Sequence, residues 1–372
     1  MVRRRAREPR LPGAGRGGRP RGPPAGLLTA RPGRRSRLPP RVSNLLLLAA
    51  TVLALLTGLA TWFVTTDDNR WVVATHGAVG LLLLLLVPWK QRVVRTGLRR
   101  RRPSRWLSLL LVALVVVALA TGVLHATGLA TRAGGQLTMW WHVASGFAVA
   151  ALLAWHALAR RQRLRRTDLD RRLALRAAGL AIGAGALWLA TSAATHALAL
   201  PGAARRPTGS YLLARPRPTI WLLDSTPDRA DADPATWQVR VDDADGSRDV
   251  AVTALADSSD RVRRTVVIDC TSGWASEQPW TGVPLAALLR PGPDDRAVVV
   301  RSSTGYTRRF PLDRLDDLLL ATDMADAPLD VALGGPVRLV VPDQRGFAWV
   351  KWVVEVRTDP GPPWAQSPVP LQ

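Results

Sequence analysis

One thiol stands alone in this chain. Cys270, within VIDCTSGWASEQPW, is the single cysteine among 372 residues. A single cysteine excludes an intramolecular disulfide, a CxxC redox pair and a structural zinc site built from several thiolates. Cys270 is therefore either a small apolar residue of a core, or a thiol that acts alone or as a ligand of a soft metal. No histidine follows His196, which excludes a Cys-His protease, a Ser-His-Asp hydrolase and an imidazole-bound metal from the segment around Cys270.

The histidines lie within or at the ends of long apolar runs. They are His76, His125, His142, His156 and His196. Ionisable side chains are costly in a bilayer, so a histidine in such a run indicates function. His142 and His156 are fourteen residues apart. On a helix this spacing places them on nearly one face, about 21 Å apart along the axis.

An internal repeat relates two of these runs. ATHGAVGLLLLLLVPWKQR parallels MWWHVASGFAVAALLAWHALARR, so that His76 matches His142 and Lys90 matches His156. LTGLAT and ATGVLHATG extend the match to the two preceding runs. Two helical hairpins related by duplication predict a four-helix bundle, and the interior of such a bundle is where cofactors bind.

Five apolar runs are each close to the roughly 20 residues that a helix needs to cross a bilayer. They are Asn44–Val64, Trp71–Trp89, Trp106–His125, Met139–Ala157 and Leu173–Leu200. The segments Lys90–Arg105 and Arg160–Arg172 are strongly basic. The positive-inside rule therefore predicts a multi-pass protein of the cell membrane, with a cytoplasmic N-terminus and an extracytoplasmic C-terminal part. These basic blocks account for much of the net charge of +23, so we expect a lipid membrane as partner and no nucleic acid.

The chain divides into four predicted parts. Residues 1–43, rich in Arg, Pro and Gly, predict a disordered basic cytoplasmic tail, and residues 44–200 predict the membrane module. Residues 207–357 alternate short β-prone runs with turns and include LDRLDDLLLAT, which reads as a helix. Residues 358–372 form a Pro-rich tail. The expected fold class is multidomain: an all-α membrane bundle of five helices, four of them a duplicated hairpin, followed by a mixed α+β domain.

The segment around Cys270 resembles a known family. DCTSGWASEQPWTGVPLAALL, STGYTRRFPL, LLATDMADAPL and GGPVRLVVPDQRGFAWVKWV resemble, in this order, motifs of the molybdenum domain of the sulfite oxidase superfamily. The resemblance implies that Cys270 binds a molybdenum atom whose other sulfurs come from molybdopterin, and that Tyr306 lies beside this metal. It also implies a set of basic residues that hold the anionic pterin phosphate. These are Arg308, Arg309, Arg338, Arg345 and Lys351.

The histidine spacing resembles that of membrane cytochromes b, in which two helices each donate one imidazole to each of two stacked haems. By this resemblance His76 and His142 bind the iron of a haem b near the external surface. His156 is a further candidate iron ligand, but it faces Lys90, so the second haem lacks a usual ligand.

Other roles for the histidines stay open. A membrane histidine can be hydrogen-bonded to a neighbouring helix or can bind a quinol. His125 and His196 also lie at the external ends of their runs and can replace either member of the pair.

Together the two resemblances imply a membrane-anchored oxidoreductase that transfers oxygen atoms and electrons for a small-molecule substrate outside the membrane. Haem b would relay electrons to or from the quinone pool or a membrane redox partner. TSGW follows Cys270 where sulfite-oxidising relatives have an arginine-containing stretch. Trp274 and Trp280 are expected to give an apolar entrance, as in relatives that reduce methionine sulfoxide, and the direction of the reaction stays open.

Two alternatives compete with this interpretation. The first is a molybdenum domain on a structural anchor without haem. The second is a haem-only electron-transfer protein whose molybdenum-like domain has become a binding module.

Overall fold

The structure is a computed structural model, and it describes residues 40–64, 69–98, 105–159, 171–217 and 232–367. The predicted tail at residues 1–43 lies almost entirely outside the described residues. The same holds for the end of the Pro-rich tail and for the side chain of Lys90. The boundaries predicted for the four parts of the chain stay predictions.

Within the described residues, five long helices make up the N-terminal half. Their bounds are α1 Pro40–Ala60, α2 Arg70–Leu98, α3 Arg105–Thr127, α4 Thr138–Ala159 and α5 Arg171–Ala197. By length and composition, all five can cross a membrane. Helix α1 packs on α2 and α3 on α4, which is the predicted pair of hairpins, and α5 packs on α2.

Close contacts fix how the helices cross. The Trp188 ring of α5 lies on Gly77 of α2, where an added Cβ would be 2.1 Å from the ring. Because no side chain fits there, glycine at this position lets α5 approach the part of α2 that carries His76.

The described part of the C-terminal domain is built from two mixed sheets. A short hairpin, β1 (Arg132–Ala133) and β2 (Gln136–Leu137), first joins α3 to α4. The domain's strands are β3 Tyr211–Leu212, β4 Gln238–Asp243, β5 Gly246–Ala251, β6 Val262–Cys270, β7 Trp274–Pro284, β8 Ala297–Ser302, β9 Thr307–Pro311, β10 Leu319–Met324, β11 Ala327–Pro328, β12 Arg338–Val340 and β13 Val353–Asp359. One sheet has the order β11–β10–β7–β3, with β12 on β10 and β6 on β7; the other has the order β5–β4–β13–β8–β9. Two short helices complete the domain, α6 Val252–Ala256 and α7 Leu285–Leu288.

One apolar cluster joins side chains of both sheets. It contains Trp280 and Leu320 of the first sheet together with Val300 and Val356 of the second. Side chains alternate between the two faces of a strand, so each sheet can bury one apolar face in this cluster. Removing this surface from water is the main force that holds the sheets together.

The helix predicted at LDRLDDLLLAT is wrong. Leu312–Arg314 form a single 3-10 turn, and strand β10 begins at Leu319. Leu318, Leu319 and Leu320 are fully buried, and β10 lies between β7 and β12. Burial in the sheet therefore outweighs the local preference for a helix.

The C-terminal domain packs against one end of the bundle. The ring of Phe63, which follows α1, lies 6.1 Å from that of Phe347. Near the end of α3, the rings of His125 and Tyr211 are 5.1 Å apart. Leu137, between α3 and α4, packs against the core of the domain. The three contacts lie at the same end of the helices.

Candidate functional site

Cys270 ends strand β6 and opens the tight turn that leads into β7. Gly273 closes this turn: its N–H donates to the Cys270 carbonyl at 3.1 Å, and its φ of +92° favours glycine. The Ser272 hydroxyl donates to the Cys270 sulfur at 3.0 Å. The cysteine is half-buried. The turn therefore presents a single sulfur, held by a hydroxyl donor.

The carboxylate of Asp269 anchors the end of β6. It accepts hydrogen bonds from the hydroxyls of Thr208, at 2.8 Å, and Ser210, at 2.6 Å, and from Arg206 at 3.1 Å. Asp269 is 5% exposed, and a carboxylate so buried needs several donors. These bonds tie the segment after α5 to the strand that carries Cys270. The sequence analysis missed Asp269, although it directly precedes the cysteine.

Three of the predicted arginines are buried in the domain that carries the thiol. Arg308, Arg338 and Arg345 are 4%, 2% and 4% exposed. One nitrogen of each guanidinium has no hydrogen-bond acceptor: Nη2 of Arg308 and Nε of the other two. Among the ion pairs of the described residues, only Asp269 reaches any of the three, with an oxygen 3.6 Å from Nε of Arg345. Buried donors without acceptors are costly, so this excess of positive charge suits an anionic ligand.

Two of these arginines interact electrostatically with the thiol. Burial lowers the pKa of the Arg338 guanidinium to about 10, and negative charge on Cys270 opposes the shift. Burial also lowers the pKa of Arg345, while Asp269 and Cys270 raise it. Arg345 in addition donates to the Cys270 carbonyl at 3.1 Å. Both cations thus lie within electrostatic reach of the sulfur, whose anionic form is the one that binds metals.

Tyr306 and Arg308 join the site through the loop Gly346–Ala348. The Tyr306 hydroxyl donates to the Phe347 carbonyl at 2.6 Å and accepts from Nε of Arg308 at 2.6 Å. Gly346, the first residue of this loop, lies against Cys270, because a Cβ on it would be 3.4 Å from the Cα of the cysteine. Burial raises the pKa of Tyr306 and Arg308 opposes this rise, so the phenol keeps its proton at neutral pH.

Arg338 lies between two indole rings. Its guanidinium carbon is 5.4 Å from the centre of the Trp280 ring and 5.5 Å from that of Trp349. Trp280 is fully buried, and Trp274 is buried as well. The expectation that these two tryptophans form an apolar entrance is therefore wrong, since both side chains belong to the core.

Two of the predicted basic residues bind partners elsewhere in the domain. Lys351 donates to the carbonyl of Ala332 at 3.2 Å, one residue before the carbonyl that accepts from Arg338. Arg309 lies on the other face of β9 from its neighbour and pairs with Asp359. The predicted residues that the structure brings together are Cys270, Tyr306, Arg308, Arg338 and Arg345.

His76 of α2 and His142 of α4 face each other inside the bundle. Their Nε2 atoms are 3.4 Å apart. Nδ1 of His76 lies 3.1 Å from the Ala54 carbonyl, and Nδ1 of His142 lies 2.8 Å from the Ala118 carbonyl. A carbonyl can only accept, so we assign the proton of each ring to Nδ1 and leave both Nε2 atoms as acceptors. Two lone pairs then point at one another, with each ring oriented as in metal-binding histidines.

The repeat builds both halves of this pair in the same way. A Cβ on Gly58 of α1 would lie 3.1 Å from Cε1 of His76, and one on Gly122 of α3 would lie 3.0 Å from Cε1 of His142. Each glycine ends a matching segment, ALLTG or ALATG, whose first alanine is the carbonyl acceptor. The sequence repeat contained part of this signal, because both glycines lie in the extension of the match to α1 and α3, whereas the two alanines lie just before it.

The pair lacks further ligands for a bare metal ion. Among the described residues, no group of three or more His, Cys, Asp or Glu side chains is placed to hold a metal. Metal ions bound by protein alone usually take four ligands, as zinc does. Two imidazoles instead suit a metal carried by a cofactor that supplies its own ligands, such as haem.

The other three histidines lie apart from the pair. Nε2 of His125 is 2.9 Å from the carbonyl of Gly209, and His196 is exposed in the last turn of α5. Among the described residues, no hydrogen bond or ring contact joins either of them to His76 or His142, and a ligand role for either stays a prediction. The ring of His156 packs near that of Trp155, 6.3 Å away, and a role for it in a second site stays a prediction.

The chain is similar to known proteins over its C-terminal part. Residues 225–363 match the family described as oxidoreductase molybdopterin binding domain. The protein-methionine-sulfoxide reductase catalytic subunit MsrP of Xanthomonas campestris pv. campestris is 32% identical over 143 residues, which are 32% of this chain and 44% of that protein. Its counterpart from Xanthomonas axonopodis pv. citri is 35% identical over 121 residues, 27% of this chain and 36% of that protein.

The chain thus spans less than half the length of these curated relatives. Among solved structures, the sulfane dehydrogenase SoxCD of Paracoccus pantotrophus matches with 22% identity and a TM-score of 0.33. This match covers 35% of this chain and 39% of that chain.

Proposed function

Since residues 225–363 are an oxidoreductase molybdopterin binding domain, we propose that the protein is a membrane-bound, molybdopterin-dependent oxidoreductase. One observation carries the proposal: two buried guanidinium groups with unused donors, those of Arg338 and Arg345, lie within electrostatic reach of the single thiol. A thiolate suits a soft metal, and the arginines suit an anionic cofactor.

Cys270 would be the protein ligand of the molybdenum. The residues proposed to hold the anionic pterin are Arg308, Arg338, Arg345, Lys351 and Arg309. The last of these is the weakest candidate, because its guanidinium already pairs with Asp359. When bound, the molybdenum centre would supply oxygen-atom transfer coupled to a two-electron change.

The chain's own groups would orient the reactants. The Ser272 hydroxyl holds the Cys270 sulfur in place by donating to it. Tyr306 keeps its proton because burial raises the pKa of the phenol. Arg308 fixes the orientation of that hydroxyl by donating to its oxygen. Tyr306 is thus a protonated phenol in a fixed orientation, separated from the thiol by one loop.

We further propose that His76 and His142 bind the iron of a haem b. Two acceptor nitrogens that face each other at 3.4 Å support this site. His156 stays a candidate ligand of a second haem. The bundle would exchange electrons with the quinone pool or another membrane redox partner.

The proposed topology places the N-terminus in the cytoplasm and the C-terminal domain outside. The basic segments Lys90–Arg105 and Arg160–Arg172 mark the cytoplasmic ends of the helices. The contacts of the C-terminal domain support this orientation, because Phe63, His125 and Leu137 all belong to the opposite ends. A haem between His76 and His142 would then lie on the side of the bundle that meets the domain.

We propose reduction of a small oxidised sulfur compound as the first reaction to test. Two relatives at 32% and 35% identity carry the name protein-methionine-sulfoxide reductase. TSGW follows Cys270 where sulfite-oxidising relatives have an arginine-containing stretch, so a cation that would bind the sulfite anion is missing from this position.

The test of the proposed function is elemental and optical analysis of one sample of the full chain, purified from cells that supply both cofactors. We expect molybdenum, and haem bands in the reduced spectrum. Molybdenum without haem bands would support a structural anchor, while haem bands without molybdenum would support a haem-only electron-transfer protein.

The variant Cys270→Ser tests the ligand itself. We expect sulfoxide reduction to fall to background, because a hydroxyl is a poor ligand for a soft metal, while the haem bands stay unchanged. The haem spectrum of the same sample is the control for folding. Activity at the wild-type level would remove the ligand role.

A further inference from the structure

The ends of α3 and α4 that meet the C-terminal domain pack against the turn after Cys270. At Gly273, an added Cβ would lie 2.9 Å from Cε1 of His125 and 3.1 Å from Cβ of Met139. No side chain fits at such distances, so the backbone of the turn itself forms the contact. Ser272, in the same turn, is 1% exposed.

His125 is bonded to the domain at two further points. Its Nε2 lies 2.9 Å from the carbonyl of Gly209, and since a carbonyl only accepts, Nε2 is the donor. The Tyr211 hydroxyl donates to the backbone carbonyl of His125 at 2.6 Å. The side chain of His125 is buried, so these bonds are protected from competing water.

The segment that His125 holds is the one that anchors Cys270. Thr208 and Ser210, on either side of the acceptor Gly209, donate their hydroxyls to the carboxylate of Asp269. The N–H of Tyr211 donates to the carbonyl of Gly273 at 3.0 Å. His125 therefore reaches the turn both directly, by packing, and through this segment.

We infer that His125 is a positioning residue that fixes the turn after Cys270 against the membrane bundle, so that the bundle forms one wall of the Cys270 site. Met139, which shares the contact, lies three residues before His142, or about 4.5 Å along the axis of α4. The consequence for electron exchange rests on the proposed function: helix α4 and the contact of Met139 with Gly273 connect the paired histidines with the turn after Cys270.

The lone cysteine makes this inference testable by chemical labelling. In full chain made without molybdenum cofactor, Cys270 is the single thiol, so the rate of its reaction with a maleimide, followed by mass spectrometry, reports opening of the turn. His125→Leu should raise the rate roughly fivefold or more, the factor expected when the hydrogen bond to Gly209 is lost together with the packing of the ring. His125→Gln, whose amide can still donate to Gly209, should label close to the wild-type rate.

Two further variants separate positioning from general damage. Tyr211→Phe removes one hydrogen bond and should raise the rate by a smaller factor, which also decides the matter if His125→Leu does not assemble. His196→Leu, at an exposed position of α5, is the matched control and should leave the rate unchanged. Equal rates in wild type, His125→Leu and Tyr211→Phe would overturn the inference, as would equal acceleration by His125→Leu and His125→Gln. Failure of the proposed function would appear instead as a lack of molybdenum in matured protein, which this labelling does not require.

Discussion

The two candidate sites of this protein have opposite deficits. In the bundle, His76 and His142 direct two acceptor nitrogens at each other with no donor between them. In the C-terminal domain, Arg308, Arg338 and Arg345 are buried, and each has one nitrogen without a hydrogen-bond acceptor. The first arrangement calls for a cation and the second for an anion. Each site therefore carries an unfavourable interaction that a bound ligand of the right charge would remove.

The sites also differ in how the chain builds them. The bundle site arises twice from one pattern, in which a glycine and an alanine carbonyl of one helix hold a histidine of the next. The domain site is assembled once, from strand ends and loops as distant as Arg206 and Arg345. A repeat can be recognised by its spacing alone. A site collected from separate segments needs the fold before its members can be seen together.

The largest expected effect is the loss of haem binding when one imidazole of the bundle site is removed. We expect His142→Ala to lower the haem bands strongly, because only His76 would be left to hold the group. Molybdenum content should not change, since that site lies in the other domain. His196→Ala is the matched control. Haem bands of wild-type intensity in His142→Ala would contradict the assignment.

Replacement of Arg338 should affect the site in the C-terminal domain in two opposite ways. We expect Arg338→Met to lower molybdenum content, yet to raise the free energy of unfolding of the cofactor-free chain by about 1–3 kcal/mol, because a buried cation with an unused donor is removed. Thermal unfolding in detergent, with and without cofactor supply, measures both effects.

Arg309→Met is the matched control for this variant. It removes a guanidinium that has a carboxylate partner, Asp359, although its Nε is also without an acceptor, so stability should fall by about 0–1 kcal/mol, and molybdenum content should fall less than in Arg338→Met. If Arg338→Met destabilised the cofactor-free chain as much as Arg309→Met does, the buried charge of Arg338 would not destabilise that chain, contrary to the prediction.

Some features of the fold and of the two candidate sites could be predicted from the sequence, and others could not. The histidine pair followed from the repeat, and the five helices from their hydropathy. Asp269 was missed, because its partners Thr208 and Ser210 are about sixty residues away and reach it only after β3 has paired with β7. Trp280 was placed at an entrance, whereas the core that its side chain joins depends on the second sheet. Arg308 and Arg309 are adjacent in sequence, and only the pleat of β9 separates a buried arginine without a carboxylate partner from one that pairs with Asp359.

The smallest expected effect is the pH dependence of the free energy of unfolding that comes from Asp359, the partner of Arg309. Burial alone would raise the pKa of Asp359, but hydrogen bonds from Arg309, the Gly361 N–H and Arg357 lower it to about 2. A depressed carboxyl pKa stabilises the fold above the unfolded value of about 3.9, and this contribution is lost as the pH falls toward 2. We expect Asp359→Asn to lower stability by about 0.5–1 kcal/mol at neutral pH, and the difference from wild type to vanish between about pH 4 and pH 2. Denaturant unfolding of both proteins across this range measures it, and a difference that persisted at pH 2 would show that Asp359 acts through packing rather than through its charge on Arg309.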